Sequence, residues 1–273
     1  WGPFPQMGIL GAAYATVISQ AVAMIVFVAR FASGTGVLRL QRSALRLHWG
    51  WMSKAMRIGL PAGVGQSAVA FGYVVMMRVI GGLANPEAAL AGYGIADRIF
   101  GLIFIVTNGM SIGLTTMIGQ ALGAALKERA RTLMRHGLAA MFAILTIEAA
   151  LLWLIRVPLI STFMPGHREV IHEGARFLEV FAVGMPFLGA YFVAESVYRG
   201  SGHNVPPMLL GIVRLWILRI PLAYALAFLF ELGSDGIWIG MSLSNVVSGI
   251  AAIGLLASRS WIRSVVEPKT DAS

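Results

Sequence analysis

The stretch LAAMFAILTIEAALLWLIRV, residues 138–157, decides the fold class of this protein. Its only charged residues are Glu148 and Arg156, and its length is the ~20 residues that an α-helix needs to cross the apolar core of a bilayer. In the whole chain, 58% of the residues are hydrophobic and 12% are charged, whereas a soluble domain carries about 25% charged residues. Because so few charges could not cover a soluble surface, lipid must surround much of the protein.

Six further stretches share this length and apolar character, and each is bounded by a polar, proline or glycine break. With the first stretch they give the ranges 7–31, 51–80, 88–118, 138–157, 174–198, 208–230 and 236–257. The sequence therefore predicts an all-α polytopic membrane protein with seven transmembrane helices.

The charges of the connecting segments predict the orientation in the membrane. Basic residues dominate the first, third and fifth connections and the tail, whereas the second lacks them, the fourth is mixed and the sixth is acidic. This alternation is what successive crossings produce, and basic loops remain on the cytoplasmic side. We therefore expect Trp1 outside and Ser273 in the cytoplasm. The same loops explain the net charge of +9 better than binding to nucleic acid does.

The composition also narrows the functional classes. The chain has no cysteine, which excludes a disulfide, a thiol nucleophile or a cysteine-bound metal. Phosphate-binding loops, nucleophile elbows and paired metal-binding histidines are absent from the sequence. The last span has no lysine that could hold retinal. We expect a transporter rather than an enzyme, without a cofactor.

Short motifs follow one another in a specific order along the chain. They are GILGAAYAT at 8–16, GLP at 59–61, GQALGA at 119–124, RGSG at 199–202, RIPL at 219–222 and GIW at 236–238. Together they resemble marks of helices six to twelve of the multidrug and toxic compound extrusion (MATE) family, within the multidrug/oligosaccharidyl-lipid/polysaccharide flippase superfamily. Members of that family have twelve helices in two lobes of six.

The resemblance implies a division of the chain. Residues 1–50 would hold the last helix of the amino-terminal lobe and a basic cytoplasmic loop, residues 51–258 the carboxy-terminal lobe, and residues 259–273 a cytoplasmic tail. Five upstream helices would be missing, an odd number, as the orientation requires. The chain begins at Trp1 without an initiator methionine, which also favours an upstream part.

The resemblance further implies an activity: antiport coupled to H⁺ or Na⁺ that exports organic, often cationic, compounds by alternating access. The partners would be the lipid bilayer and the amino-terminal lobe of the same protein, and the location the bacterial inner membrane. Two alternatives stay open. One is a flippase for lipid-linked oligosaccharides, in which Arg98 and Arg219 would bind pyrophosphate. The other is a non-transporting fragment that packs with a partner chain.

Some positions depart from the family's pattern. Ala121 replaces the usual asparagine, and His203 stands where aspartate or lysine is usual. The coupling carboxylates of two branches would fall near Val69 and Leu188, which are apolar. The resemblance is therefore closer to the branch with its coupling carboxylate in the amino-terminal lobe.

Ionisable and amide side chains inside the spans are the candidate site residues, because burying charge in lipid is costly. Asp97 could bind a cation or a proton, or pair with Arg98 or Arg78. Glu195 could instead pair with Arg214. The full set of predicted substrate- or ion-binding residues is Asp97, Gln66, Asn108, Glu195 and Asn245, and that of structural ion pairs is Arg98, Arg214 and Arg219. For the three amides, bridging between helices is an equal alternative. Glu148 is a further mid-span carboxylate with no partner that the sequence identifies.

Overall fold

The computed structural model describes residues 8–33 and 48–262, and the regular structure in this part is helical throughout. Seven of its helices are long and apolar enough to cross a membrane, which confirms the predicted fold class. The chain divides into two compact units, residues 1–55 and residues 56–273. The first contains α1 (Gly8–Ser33) and the opening turns of α2 (Trp49–Ile80).

The second unit holds the rest of α2 and the other five spans. Four of these helices are α3 (Pro86–Gly123), α4 (Lys127–Phe163), α5 (Arg168–Gly200) and α8 (Gly233–Ala257). The sixth span, Val205–Leu229, changes geometry along its length. It runs through α6 (Val205–Ile212), a π-helical segment (Val213–Arg219), α7 (Ile220–Tyr224) and a second π-helical segment (Ala225–Leu229). A short 3₁₀ turn, Ser260–Ile262, follows α8.

The helices extend further than hydropathy predicts. The basic residues expected in the third loop belong to the first turns of α4, and only residues 124–126 connect α3 to α4. These basic residues are Lys127, Arg129, Arg131 and Arg135. At 1.5 Å per residue, the 38 residues of α3 are about 57 Å long, whereas the apolar core of a bilayer is about 30 Å thick. The first turns of α4 are rich in charged residues, so hydropathy alone places them in a loop.

Helix α5 is the centre of the second unit and packs against α3, α4 and α8. Close approach of α3 and α5 depends on Gly92, because a Cβ there would lie 2.6 Å from the backbone nitrogen of Gly174. Beside this contact, the ring of Phe177 on α5 lies 5.1 Å from that of Tyr93 on α3 and 4.9 Å from that of Trp238 on α8. Small residues thus bring the backbones together, as is usual between helices in lipid, and aromatic rings fill the space beside them.

Helix α2 contacts the first π-helical segment of the sixth span through residues 68–72. The rings of Phe71 and Trp216 stack with centroids 5.7 Å apart, and Trp216 Nε1 donates a hydrogen bond to the carbonyl oxygen of Ala68 at 3.1 Å. A Cβ at Gly72 would lie 2.2 Å from a methyl group of Leu215. The first π-helical segment is therefore fixed to α2 on one side.

Helix α8 approaches the other side of the sixth span through Gly236 and Gly240. A Cβ at Gly240 would lie 2.6 Å from the backbone nitrogen of Ala223. The four-residue spacing puts both glycines on one face of α8, which is the arrangement that allows two membrane helices to touch along their backbones.

A network of charges links α4, α5 and α8 at the end opposite the basic connections. Arg156 contacts Glu179 at 3.5 Å, Glu179 contacts Arg176 at 3.4 Å, and Arg176 Nε contacts Asp235 Oδ1 at 2.7 Å. Nearby, Glu173 accepts hydrogen bonds from Ser234 Oγ and Trp238 Nε1. This end of the unit is therefore joined by polar contacts between its helices.

Candidate functional site

Two adjoining cavities open near the basic end of the second unit. The first, of about 220 Å³, lies between α2, α5 and the sixth span. Its polar and aromatic lining includes Gln66, Tyr73, Tyr191, Phe192, Glu195, Arg199, Asn204 and Arg214. The second, of about 400 Å³, lies between α3 and α5. Its lining includes Asn108, Ser111, Thr115, Thr116, Phe192, Glu195, Ser196 and Arg199.

An ion pair stands between the two cavities. Glu195 Oε1 lies 2.5 Å from Arg199 Nη2, and both residues line both cavities. They are four residues apart on α5, so they occupy the same face of the helix one turn from each other. Among the residues that the structure describes, Glu195 is the one carboxylate that lines either cavity.

The structure brings several of the predicted site residues together. Gln66 and Glu195 line the first cavity, and Asn108 and Glu195 line the second. Asn245 lies behind the first cavity and is joined to it through Arg214. Val69 lines the first cavity, whereas Leu188 is buried.

Asp97 lies apart from this group. It is exposed on α3 and lines neither cavity. The alternative role of Asp97, a pairing with Arg98 or Arg78, is not found: none of the ion pairs among the described residues involves these three side chains. Glu148 on α4 is also separate, and its Oε2 is buried without a hydrogen-bond partner in the described part of the chain.

The predicted ion pair between Glu195 and Arg214 was wrong. Glu195 pairs with Arg199 on its own helix, and the Arg214 guanidinium lies over the ring of Tyr191 with Cζ 4.5 Å from the ring centroid. Arg214 Nη1 donates to Asn245 Oδ1 at 3.3 Å. An aromatic face and a neutral amide therefore take the place of the expected carboxylate.

Arg219 was also expected in an ion pair, and it too contacts neutral groups. Its Nε donates to Ser244 Oγ at 3.0 Å and its Nη2 donates to Asn245 Oδ1 at 2.5 Å. Arg214 and Arg219 thus share one acceptor, which places their donating nitrogens within about 6 Å of each other. Two unit charges at this distance repel by roughly 3 kcal/mol at an effective dielectric constant of about 20.

The π-helical segment explains how the two arginines meet. They are five residues apart, and in an α-helix residues five apart point about 140° away from each other. In a π-helix the hydrogen bond joins residues five apart, so their side chains leave the helix on nearly the same face. Such segments are rare and are often found at functional sites.

Some lining residues were not predicted. Ser111 and Thr115 follow Asn108 at helical spacing on α3, and this polar face could have been recognised from the sequence. The four-residue spacing of Glu195 and Arg199 was a second available signal. Tyr73 and Tyr191 carry no such signal, since an aromatic residue in a span is more often part of the packing.

Comparison with known proteins identifies the class of protein. The MatE family model matches residues 61–225, more than half of the chain. A probable multidrug resistance protein NorM of Mesorhizobium japonicum is 31% identical over 95% of the chain, and one of Thermotoga maritima is 24% identical over 96%. The chain therefore belongs to the MatE family.

A solved structure extends the comparison to the fold. The outward-facing conformation of a multidrug resistance MATE family transporter matches 94% of this chain with a TM-score of 0.85 at 22% sequence identity. The chain spans about half the length of its relatives: 56% of each of the two NorM proteins and 57% of the solved chain.

Proposed function

We propose that this chain is the carboxy-terminal part of an antiporter that exports organic cations in exchange for H⁺ or Na⁺. Membership of the MatE family is the observation that carries this proposal. The curated relatives are named as probable multidrug resistance proteins. The chain matches little more than half of them, which fits a protein whose other lobe lies upstream in the same polypeptide.

The cavities supply a route for substrate and ion. Glu195 is the lining carboxylate, and its partner Arg199 belongs to the same helix. A cationic substrate or a coupling ion that reaches Glu195 competes with Arg199 for the carboxylate. Substrate loading and release then depend on which cation is bound to Glu195 in each of the two arrangements of the lobes. A ligand shifts the equilibrium between these arrangements only if it binds one of them more tightly than the other.

Transport by the full-length gene product in a bacterial inner membrane, with the basic end in the cytoplasm, tests this proposal. Cells that express it should accumulate less of a cationic dye such as ethidium, and collapse of the H⁺ and Na⁺ gradients should abolish the difference. Glu195→Gln should slow export about tenfold or more, the size of effect that loss of one charged contact of ~1.4 kcal/mol produces. Glu87→Gln, which removes an exposed carboxylate in the first turn of α3, serves as the matched control. Dye export that is unaffected by both gradients would contradict the antiport mechanism.

A flippase for a lipid-linked, phosphate-bearing substrate is the second candidate. The pair of buried arginines in the sixth span favours it, because guanidinium groups suit phosphate recognition. Export of ethidium with no movement of a fluorescent lipid phosphate across proteoliposome membranes would exclude this candidate, and the reverse result would replace the first proposal with it.

A further inference from the structure

The buried arginine pair of the sixth span has no ion-pair partner in the described part of the chain. Arg214 is 8% exposed and Arg219 is 3% exposed, and their shared acceptor Asn245 is fully buried. No carboxylate among the described residues forms an ion pair with either guanidinium. Tyr73 and Tyr191 lie close to Arg219 and Arg214 respectively, but neither side chain is a carboxylate. Buried charges in proteins are normally paired, so two unpaired cations side by side require an explanation.

The three side chains Arg214, Arg219 and Asn245 also have more hydrogen-bond donors than acceptors. Asn245 Oδ1 already accepts from both arginines. Asn245 Nδ2 and Arg214 Nε are buried donors without a partner in the described part of the chain. Rotating the amide would turn its NH₂ group towards two cations, so the orientation of Asn245 is fixed by the charges. The group therefore has more hydrogen-bond donors than acceptors. A negatively charged acceptor would supply both the missing hydrogen bonds and the missing negative charge.

Access to the group is provided by the first cavity. Arg214 lines this cavity, together with the aromatic rings of Tyr73, Tyr191 and Phe192 and with Glu195, whose carboxylate is paired with Arg199. A cavity of about 220 Å³ is smaller than the ~300–1,000 Å³ of pockets that enclose a whole drug-sized ligand. It is suited to one end of such a compound, with an apolar or aromatic part against the rings and an acceptor against the guanidinium.

We infer that the first cavity is an oxyanion site, in which Arg214 binds a carboxylate or phosphate group and Arg219 and Asn245 support it. The inference deepens the proposed function: some of the exported compounds would carry an anionic group that binds here. Its relation to transport rests on the proposed function. Two sources share this chemistry: a soluble organic anion, and the phosphate group of a lipid-like molecule.

Thermal unfolding of the purified full-length protein in a non-ionic detergent tests the inference without any transport measurement. The probes are potassium benzoate, inorganic phosphate and dodecyl phosphate, each compared with potassium chloride at equal ionic strength. A ligand at saturating concentration that binds only the folded state should raise Tm by about 3 °C or more. A shift with benzoate or inorganic phosphate supports a soluble anion, and a much larger shift with dodecyl phosphate supports a lipid-like source.

Variants locate the site. Arg214→Gln should lose the shift, whereas Arg129→Gln, which removes an exposed arginine in the first turn of α4, should keep it. Because Arg214→Gln could also unfold the lobe, Asn245→Asp provides an independent measurement. This change places a carboxylate between the two guanidiniums, and it should raise Tm without ligand and abolish the shift with every probe.

Two outcomes would overturn the inference. One is equal unfolding temperatures with all four salts in the unsubstituted protein. The other is a ligand shift of the same size in Asn245→Asp as in the unsubstituted protein. Either could occur while dye export persists, so failure of the oxyanion site is distinguishable from failure of the proposed antiport.

Discussion

Arg214 and Arg219 donate hydrogen bonds to the same oxygen atom, Asn245 Oδ1, although five residues of one helix separate them. This relationship joins the sixth span to α8, and all three side chains are buried. Hydrogen bonds from charged donors to a buried acceptor contribute more than those between neutral groups, roughly 1.5–3 kcal/mol each. The bridge is therefore both a structural contact and the rear wall of the first cavity.

Replacement of Asn245 by leucine should destabilise the protein strongly. Asn245→Leu leaves two buried guanidiniums without their shared acceptor, and we expect a loss of about 3 kcal/mol or more. The measurement is thermal unfolding of the full-length protein in detergent. Asn108→Leu, an exposed amide on α3, is the matched control and should have little effect. Similar losses for the two variants would contradict the bridge.

Alanine substitutions in α8 should act in opposite directions at two glycines. Gly240→Ala places a methyl group 2.6 Å from the backbone of Ala223, and overpacking of this kind costs about 1–3 kcal/mol. At Gly254 an added Cβ meets no atom within 4 Å, so Gly254→Ala should be neutral or stabilise by up to about 1 kcal/mol through helix propensity. Unfolding temperatures of both variants give the comparison, and destabilisation by Gly254→Ala alone would contradict the packing described.

The contact between Arg176 and Asp235 should give a small, salt-dependent coupling energy. Both side chains are more than one third exposed, so a double-mutant cycle with Arg176→Met and Asp235→Asn should yield only about 0.5–1 kcal/mol. High salt should reduce this value, because solvent-exposed charges are screened. The pair Glu128–Arg131 on α4 provides a reference for a local pair within one helix. A coupling energy that does not change with salt would indicate that the contact between Arg176 and Asp235 is shielded from solvent.

Asp97 should matter for transport and not for stability. Its carboxylate is exposed and forms no ion pair among the described residues, so Asp97→Asn should change the free energy of unfolding by less than about 0.5 kcal/mol. If the residue binds a cation or a proton, dye export should lose part of its dependence on external pH. Export with an unchanged pH profile would remove Asp97 from the candidate site.

Labelling of single cysteines should reveal the orientation in the membrane. The chain contains no cysteine, so Ala84→Cys and Leu126→Cys introduce unique thiols at exposed connections, once any cysteines elsewhere in the polypeptide have been replaced. A membrane-impermeant maleimide added to intact cells should label the cysteine at position 84 and not that at position 126. The opposite pattern would reverse the proposed topology.

Hydropathy predicted the seven spans because the energetic requirement for an apolar helix in lipid acts on every residue of the segment. It did not predict helix ends such as Lys127 of α4, since helical turns outside the lipid tolerate any polar sequence. Asn245, Arg214 and Arg219 were all identified as notable polar residues, but the sequence suggested a partner only for Arg214, and that partner, Glu195, was wrong. The reason is the register of the sixth span: an α-helical spacing places the two arginines on different faces, and no feature of the residues between them reveals a π-helix.

The π-helical segment has a consequence for how this region changes length during evolution. Each turn of a π-helix holds about one residue more than a turn of an α-helix, so the segment tolerates the removal of one residue. Loss of the exposed Ile217 would close the turn as an α-helix and leave the arginines four apart, still on one face. In an ordinary membrane helix the same deletion would rotate everything beyond it by about 100°. Relatives that lack one residue in this segment should therefore carry their two basic residues four positions apart instead of five.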